Sequence, residues 1–293
     1  MIGVVFGSLT PPEELARGAA LAEQLGFGEL WFSEDCFFTG GLSGLTQLLA
    51  STTTIPAGLG LASVMTRHPA ILAMELAGLA RMHPGRVKAA VGLGNRQWLT
   101  QMGLVPPRPL STVLDRHDTV RRLLAGHEHR GIQLAYPPAE PPPLWIGAVN
   151  EKALRAAGAT ADGVLLSVLS GPTYIRWARE QVAIGAAAAN RDVPPITAFV
   201  LASVGEEAAA RDAVSDAVTF FATAEAHTAL VTRSRAPGEF AVAGSATQVR
   251  DQLAALLDAG ADSLGLWLFP PEKLAGQLER IAQDVLPRLT TAN

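Results

Sequence analysis

The chain has 293 residues, of which 48% are hydrophobic and 17% are charged, and its formal net charge at pH 7 is −4. This composition is typical of a globular protein with a large core, and it excludes the basic surface that nucleic acid or an anionic membrane would require. No segment approaches 18 uninterrupted apolar residues, so we expect no membrane span. The single cysteine, Cys36, and the lack of a signal-peptide pattern predict a cytoplasmic protein.

Apolar runs alternate with helical patterns from one end of the chain to the other. Eight runs are predicted to be strands, at 2–7, 29–33, 57–61, 86–91, 144–147, 163–167, 196–204 and 263–268. The main helices are predicted at 13–25, 42–51, 68–82, 111–125, 150–157, 172–189, 206–223, 247–259 and 272–286. The proline-rich stretch 137–143 is interpreted as a surface loop, because a strand follows it directly.

Eight strands, each followed by a helix, match the count of a (β/α)8 TIM barrel. Several of these strands are continuously apolar, as parallel strands buried on both faces should be. We therefore predict an α/β protein with a single (β/α)8 barrel domain over residues 1–293. The alternative is a doubly wound open sheet, which would usually be divided around a switch point.

Functional residues of such a barrel follow the C-terminal ends of its strands. Glu34 and Asp35 follow the second strand, and His68 begins the helix after the third. A carboxylate serves in acid–base catalysis when burial raises its pKa, so Glu34 and Asp35 are catalytic candidates. His68 is a third candidate because of its position at the helix start. The alternative interpretations are hydrogen bonding within the loop for the two acids and a helix cap for His68.

The fifth strand predicts an anion site. Small residues lead from Gly147 through Ala148 and Val149 into a helix at Asn150, and free N–H groups at a helix N-terminus favour phosphate. An ordinary turn with Asn150 as N-cap is the alternative.

Aromatic residues near the same end of the barrel predict an apolar or aromatic small-molecule substrate. They are Phe6, Phe37, Phe38 and Trp98. The sequence His127-Glu128-His129 lacks further ligands at metal spacing, so no metal site is predicted.

The motifs, taken in order, resemble the bacterial-luciferase-like family of flavin- and deazaflavin-dependent oxidoreductases. The resemblance rests on Thr66-Arg67-His68-Pro69-Ala70, His83-Pro84-Gly85-Arg86, Gly92-Leu93-Gly94, and Trp145-Ile146-Gly147-Ala148 continuing to Ala161-Asp162-Gly163. It implies a luciferase-like barrel with coenzyme F420, or alternatively FMN, over the strand ends. It also implies a homodimer that associates through the helices after strands 2 and 3.

The resemblance further implies a non-prolyl cis peptide at Ser63–Val64 behind the cofactor ring and a phosphate near Ser167. The cofactor-binding residues implied in this way are Gly7, Ser63, Val64, Met65, Thr66, Gly92, Gly94, Asn95, Gly147, Ala148, Val149, Asn150 and Ser167. Arg233 and Arg235 lie in a stretch that is interpreted as either a solvated loop or a lid facing an anionic group.

Two positions depart from the family pattern. Some deazaflavin dehydrogenases carry a histidine where this chain has Asp35 and a glutamate where it has Asn95. We therefore expect a substrate other than a sugar phosphate. The predicted reaction is hydride transfer between deazaflavin C5 and a C=C, C=N or C=O bond, with Asp35 or Glu34 relaying a proton. An FMN-dependent monooxygenase is the alternative.

Overall fold

In the computed structural model, which describes residues 1–234 and 237–289, eight parallel strands close a barrel. The strands are β1 (Ile2–Phe6), β2 (Leu30–Phe32), β3 (Ala57–Ser63), β4 (Val87–Gly92), β5 (Leu144–Gly147), β6 (Val164–Leu166), β7 (Ile196–Val204) and β9 (Ser263–Leu268). Neighbouring strands pair in the order β6-β5-β4-β3-β2-β1-β9-β7, and β6 pairs with β7 to complete the ring. The predicted barrel is confirmed, and the predicted strand ends differ from these by at most two residues.

One further strand, β8 (Ala241–Gly244), was not predicted. It pairs in parallel with the second half of β7, from Leu201 opposite Ala241 to Val204 opposite Gly244. Its sequence, Ala-Val-Ala-Gly, is short and contains one β-branched residue, so it carries almost no strand signal.

Helices surround the barrel. They are α1 (Leu15–Gln24), α2 (Gly41–Ala50), α3 (Pro69–Met82), α4 (Arg96–Gln101), α5 (Pro109–Leu124), α6 (Glu151–Thr160), α7 (Pro172–Ala188), α8 (Glu207–Ala222), α9 (Thr228–Arg233), α10 (Ala246–Asp258), α11 (Leu274–Arg280) and α12 (Leu286–Leu289). None of the helices within 1–234 and 237–289 combines the length and apolar content that crossing a bilayer requires.

The barrel interior is packed with aromatic side chains, for which glycines on other strands leave room. The Trp31 ring lies 5.7 Å from Trp145 and 5.8 Å from Phe199, measured between centroids. A Cβ on Gly58 would come within 2.5 Å of Trp31, and one on Gly60 within 2.7 Å of Phe199. The interior is therefore a solid core, and ligands must bind above it at the strand ends.

The N-terminal end of the barrel is closed by a buried ion pair. Lys88 Nζ lies 2.7 Å from Glu29 Oε2, and the Ser263 hydroxyl donates to Glu29 Oε1 at 2.6 Å. Burial acts to raise the pKa of Glu29, but the charge and hydrogen bond of Lys88, helped by Ser263, hold this pKa below its ordinary value. Glu29 is therefore ionised inside the barrel.

Candidate active site

The irregular part of β3 lies at Gly60–Leu61. The peptide bond between these two residues is cis, so the predicted cis peptide at Ser63–Val64 is wrong. The pairing of β3 with β4 also shifts between Leu59 and Ala62. The physical reason is that Gly60, lacking a side chain, can pass close to the core aromatics, whereas Ser63 is already paired with Gly92 of β4.

Leu61 then projects between the ends of β4 and β5. A Cβ on Gly92 would lie 2.8 Å from Leu61 Cδ2, and a Cβ on Gly147 would overlap the same atom. Because both glycines lack a Cβ, the Leu61 side chain fits beside them at the mouth, where it is only partly buried. The prediction missed Leu61. The available signal was the glycine–leucine alternation of residues 58–61 within a buried strand.

Ser63 joins the loops that follow β3 and β4. Its hydroxyl donates to the Leu93 carbonyl at 2.6 Å and accepts from the Met65 N–H at 3.2 Å. Gly94 adopts φ +84, and a Cβ there would lie 2.9 Å from Ser63 Cβ. Glycine at 94 is thus required by both conformation and space.

Val64 and Thr66 extend this junction. The Val64 N–H donates to the Gly92 carbonyl at 2.9 Å, and its side chain is buried in the core. Thr66 donates its hydroxyl to the Ser63 carbonyl at 3.1 Å, and both Met65 and Thr66 are half-buried. Val64 can therefore approach a ligand only through its backbone, whereas Met65 and Thr66 retain accessible side chains.

Glu34 is held in an ion pair. Arg67 donates to both of its carboxylate oxygens, at 2.6 and 2.9 Å, and the Gly41 N–H donates to Oε1 at 3.1 Å. This paired, hydrogen-bonded geometry is that of a charged carboxylate fixed in a loop. The arrangement matches the structural interpretation of Glu34 better than the catalytic one.

Asp35 has a different environment. Burial raises the pKa of Asp35, and the neighbouring Glu34 carboxylate raises it further, while the nearby Ser8 hydroxyl acts in the opposite direction. Within the described residues, neither Asp35 Oδ2 nor the buried Ser8 Oγ has a hydrogen-bond partner. Such a carboxyl holds its proton to a higher pH than an ordinary aspartate does, and it can therefore serve as a general acid.

His68 and Asn95 both begin helices. His68 Nδ1 accepts from the Ala70 N–H at 3.2 Å, at the start of α3. Asn95 Oδ1 accepts from the Gln97 N–H at 2.9 Å, at the start of α4. Each side chain thus caps its helix, which for His68 is the alternative interpretation given above.

The predicted aromatic lining is only partly at the mouth. Phe6 is fully buried and packs against α1, where a Cβ on Gly18 would lie 2.8 Å from its ring. Its placement at the substrate site is wrong, because alternate residues of β1 face outward and Phe6 is one of them. Phe37 and Phe38 are exposed, at 68% and 48%, and Trp98 is half-buried.

A cavity of about 360 Å³ opens between the loops after β1 and β2. Its lining consists of Ser8, Leu9, Thr10, Pro11, Pro12, Phe38 and Thr39. Gly7 lies beside this cavity, and a Cβ there would come within 2.8 Å of the Trp267 ring and 2.9 Å of Ser33 Cβ. This wide-open depression has a mixed polar and apolar lining and offers space for a small molecule beside the mouth.

The turn after β5 leaves a helix N-terminus open. Asn150 is the N-cap of α6, yet its side chain makes no capping hydrogen bond. The N–H groups of the first turn, which have no partners within a helix, are therefore available to an anion. Tyr174 donates its hydroxyl to the Val149 carbonyl at 2.7 Å and holds the turn in place. Ala148, by contrast, already donates its N–H to Leu165 at 3.2 Å.

Ser167, which follows β6, lies beside a histidine that the sequence did not indicate. Its Oγ is 2.8 Å from Nε2 of His227, a residue 60 positions further along the chain. Nδ1 of His227 is 2.7 Å from the Phe221 carbonyl oxygen. No local motif marks His227, so only the fold could bring it to Ser167.

The segment that carries His227 covers part of the mouth. Arg233 at its end stacks on Trp177, with 3.8 Å between the guanidinium carbon and the ring centroid. Glu225 at its start is 3.9 Å from Arg96 of α4. Arg235, the other predicted lid residue, lies outside the described residues.

The residues at the mouth fit a cofactor with a polar-edged ring and an anionic group. Two buried polar atoms without partners among the described residues follow β1 and β2 on one side: Ser8 Oγ and Asp35 Oδ2. The open N-terminus of α6 lies on the other side, because β1 and β5 are four strands apart in the closed ring of eight. A ligand spanning the mouth could satisfy both sets of groups.

Fold and site together define a (β/α)8 barrel enzyme with a ligand site above its strands. The family model described as luciferase-like monooxygenase matches residues 5–263, and the chain belongs to this family. It is thus an oxidoreductase by family.

Two relatives and one solved structure make the comparison more specific. A 5,10-methylenetetrahydromethanopterin reductase of Methanolobus tindarius is 30% identical over 233 residues, which are 76% of this chain and 71% of that protein. An F420-dependent hydroxymycolic acid dehydrogenase of Mycobacterium tuberculosis is 30% identical over 68% of this chain and 61% of its own. An F420-dependent secondary alcohol dehydrogenase, solved with an F420–acetone adduct, superposes with a TM-score of 0.84 at 17% identity, covering 99% of this chain and 98% of that one. This last likeness shows the fold alone.

Proposed function

We propose that the chain is a coenzyme F420-dependent oxidoreductase that moves a hydride between deazaflavin C5 and a C=C, C=N or C=O bond of a small organic substrate. The observation that carries this proposal is Asp35, a buried carboxyl with a raised pKa and an unpartnered oxygen at the barrel mouth. Reduction of an unsaturated bond by hydride needs a proton as well, and Asp35 can supply it. The F420-dependent relatives support the choice of cofactor.

Residues at the ends of four strands, β3 to β6, would hold the cofactor. Leu61 would lie behind the ring, and the backbone at Gly92 would allow close approach. The first turn of α6, after Asn150, would bind the phosphate, with Ser167 nearby. When bound, F420 supplies hydride chemistry, and the protein supplies binding, orientation and electrostatics.

Asp35 would then act on the substrate from the loop after β2. Its protonated form donates to the substrate atom that does not receive the hydride, and in the reverse direction its carboxylate takes the proton back. The ionised Glu34, fixed by Arg67, keeps a negative charge beside Asp35 and so favours its protonated form. Phe37, Phe38 and Trp98 would exclude water from an apolar substrate.

The second candidate is an FMN-dependent monooxygenase. The description of the matching family favours it, because that description names monooxygenases. The two cofactors differ at ring position 5, where carbon passes hydride and nitrogen permits reaction of the reduced flavin with oxygen.

Titration of the purified protein with each oxidised cofactor, followed by fluorescence, separates the two candidates. The proposal predicts saturable binding of F420 at lower concentration than FMN, and no substrate-linked oxygen consumption with reduced FMN. Tight binding of FMN without binding of F420 would contradict it.

Gly147→Asp is expected to weaken cofactor binding by about 30-fold, which corresponds to about 2 kcal/mol. The new side chain would displace Leu61 and place a carboxylate beside the anion-binding turn. Titration of this variant with F420 measures the loss. Gly276→Asp, at an exposed position of α11 where nothing lies within 4 Å of an added Cβ, is the matched control. Unchanged affinity in Gly147→Asp would contradict the placement of the phosphate.

We also propose a homodimer that uses α3. Ile71, Met74 and Met82 are 46%, 53% and 64% exposed and share one stripe of this helix with Gly78, where nothing lies within 4 Å of an added Cβ. A second copy packing its own α3 stripe here would bury both apolar surfaces.

Met74→Glu is expected to convert the dimer to a monomer, measured by sedimentation velocity at micromolar concentration. Ile184→Glu, at an exposed apolar position of α7, should leave the dimer intact. A Met74→Glu variant that sediments like the unmodified dimer would contradict the assignment of this surface.

A further inference from the structure

The pairing of Ser167 with His227 fixes the direction of two hydrogen bonds. Nδ1 of His227 is 2.7 Å from the Phe221 carbonyl, which can only accept, so Nδ1 carries a proton. In the neutral imidazole, Nε2 is then a bare acceptor. The Ser167 hydroxyl, 2.8 Å away, must donate its single hydrogen to this nitrogen.

This direction conflicts with anion binding at Ser167. With its hydrogen directed at His227, the hydroxyl offers only lone pairs to a ligand, and lone pairs repel a phosphate oxygen. Turning the hydroxyl toward the anion instead would leave Nε2 of the buried His227 without a donor, which is costly. Protonation of Nε2 removes the conflict, because the imidazolium donates to Ser167 and frees the hydroxyl hydrogen for the anion.

We infer that His227 is a positioning residue that sets whether Ser167 donates or accepts, so that a phosphate at the end of β6 binds together with one proton. The proton goes to Nε2 of His227, and no covalent bond changes. The inference rests on the proposed function in one respect, namely that the cofactor phosphate lies near Ser167. It also links the segment 225–233 to the bound phosphate, because His227 belongs to that segment.

Charged groups on the neighbouring elements flank the pair of Ser167 and His227. On the segment itself, Glu225 is exposed and lies near Arg96 of α4, and Arg233 stacks on Trp177 of α7. Glu239 lies against Gly171, which follows β6 and precedes α7. The α8 residue that contacts His227 is Phe221, whose ring lies 5.8 Å from the imidazole. Burial lowers the pKa of His227, with the Phe221 hydrogen bond acting in the opposite direction, so the free protein holds it neutral at pH 7.

The test is the dissociation constant of oxidised F420 between pH 6 and 8, measured by fluorescence. A phosphodiester keeps one charge across this range, whereas the phosphomonoester of FMN titrates near pH 6 and would confuse the result. In the unmodified protein, affinity should rise by up to about tenfold per pH unit as pH falls, since at most one proton is taken up. His227→Gln, whose amide does not titrate, should bind with little pH dependence. His127→Gln, at an exposed histidine, should retain the unmodified profile.

Ser167→Ala separates failure of this inference from failure of the proposed function. The inference predicts that it weakens binding about tenfold and removes the pH dependence. If Ser167→Ala weakens F420 binding but the affinity of the unmodified protein does not change with pH, the role of His227 is overturned and the phosphate placement stands. Unchanged binding in Ser167→Ala would overturn the phosphate placement itself. A pH dependence that persists in His227→Gln would also overturn the inference.

Discussion

Asp35→Asn is expected to lower kcat by about 10²- to 10⁴-fold, the usual contribution of a positioned acid. The dissociation constant of oxidised F420 should stay within about twofold, because the phosphate turn and the loops after β3 and β4 are untouched. Steady-state kinetics with reduced F420 and an accepted substrate measure the first quantity, and fluorescence titration the second. Asp216→Asn, at an exposed position of α8, is the matched control.

The pH dependence of this variant follows from the raised pKa of Asp35. The residue donates a proton in the direction of substrate reduction, so kcat should fall as pH rises through that pKa. Asp35→Asn should lack this decline. A variant that keeps both the unmodified kcat and the unmodified pH profile would exclude Asp35 as the proton donor.

Asp35→Asn should also be more stable than the unmodified protein at neutral pH. The unfolded chain ionises Asp35 near its ordinary pKa of 3.8, whereas the folded chain resists ionisation because the carboxyl is buried. Stability contributed by this group is therefore present below about pH 4 and is lost as pH rises toward the raised folded-state pKa. A neutral asparagine avoids that loss, and thermal unfolding at two pH values measures the difference.

Lys88→Met is expected to reduce the free energy of unfolding by about 3–5 kcal/mol, because it leaves the Glu29 carboxylate buried without its partner. Only 2% of the Glu29 side chain is exposed, so water solvates this carboxylate poorly. Urea unfolding at pH 7 measures the change. The double variant Glu29→Gln with Lys88→Met should recover much of the loss, and Lys152→Met on the exposed face of α6 should have little effect.

Lys88→Met should also reverse the direction in which the contribution of Glu29 to stability changes with pH. In the unmodified chain the pKa of Glu29 is lowered, so its stabilising contribution is present above its ordinary value of 4.5 and is lost as pH falls below it. Without Lys88, burial would raise that pKa, and stability would instead decline as pH rises above 4.5. A Lys88→Met protein as stable as the unmodified chain at pH 7 would show that the ion pair contributes nothing.

The sequence predicted the barrel because its signals are local. Parallel buried strands are continuous apolar runs, and helices show the 3.6-residue period, so eight repeats could be recognised one by one. The turn after β5 was recognised for the same reason, since glycine and small residues precede a helix within a few positions. Asp35 was chosen as a catalytic candidate because it lies two residues after a predicted strand, and its role stays a prediction.

Other features depend on contacts that no local pattern contains. The cis peptide lies at Gly60–Leu61, where a residue without a Cβ is needed because Phe199 of β7 is so close. The resemblance alone placed this peptide three residues too far along the chain. Phe6 was misplaced because one face of β1 points into the barrel and the other at α1, and an apolar strand does not show which residues lie on which face. His227 is 60 positions from Ser167 and belongs to a segment without a recognisable motif.

A crystal structure of the protein soaked with oxidised F420 tests the central claim most directly. The account predicts the phosphate within hydrogen-bond distance of the first-turn N–H groups of α6 and of Ser167, and the deazaflavin ring against Leu61 with its free face toward Asp35. A ring bound elsewhere, or a phosphate away from the ends of β5 and β6, would contradict it.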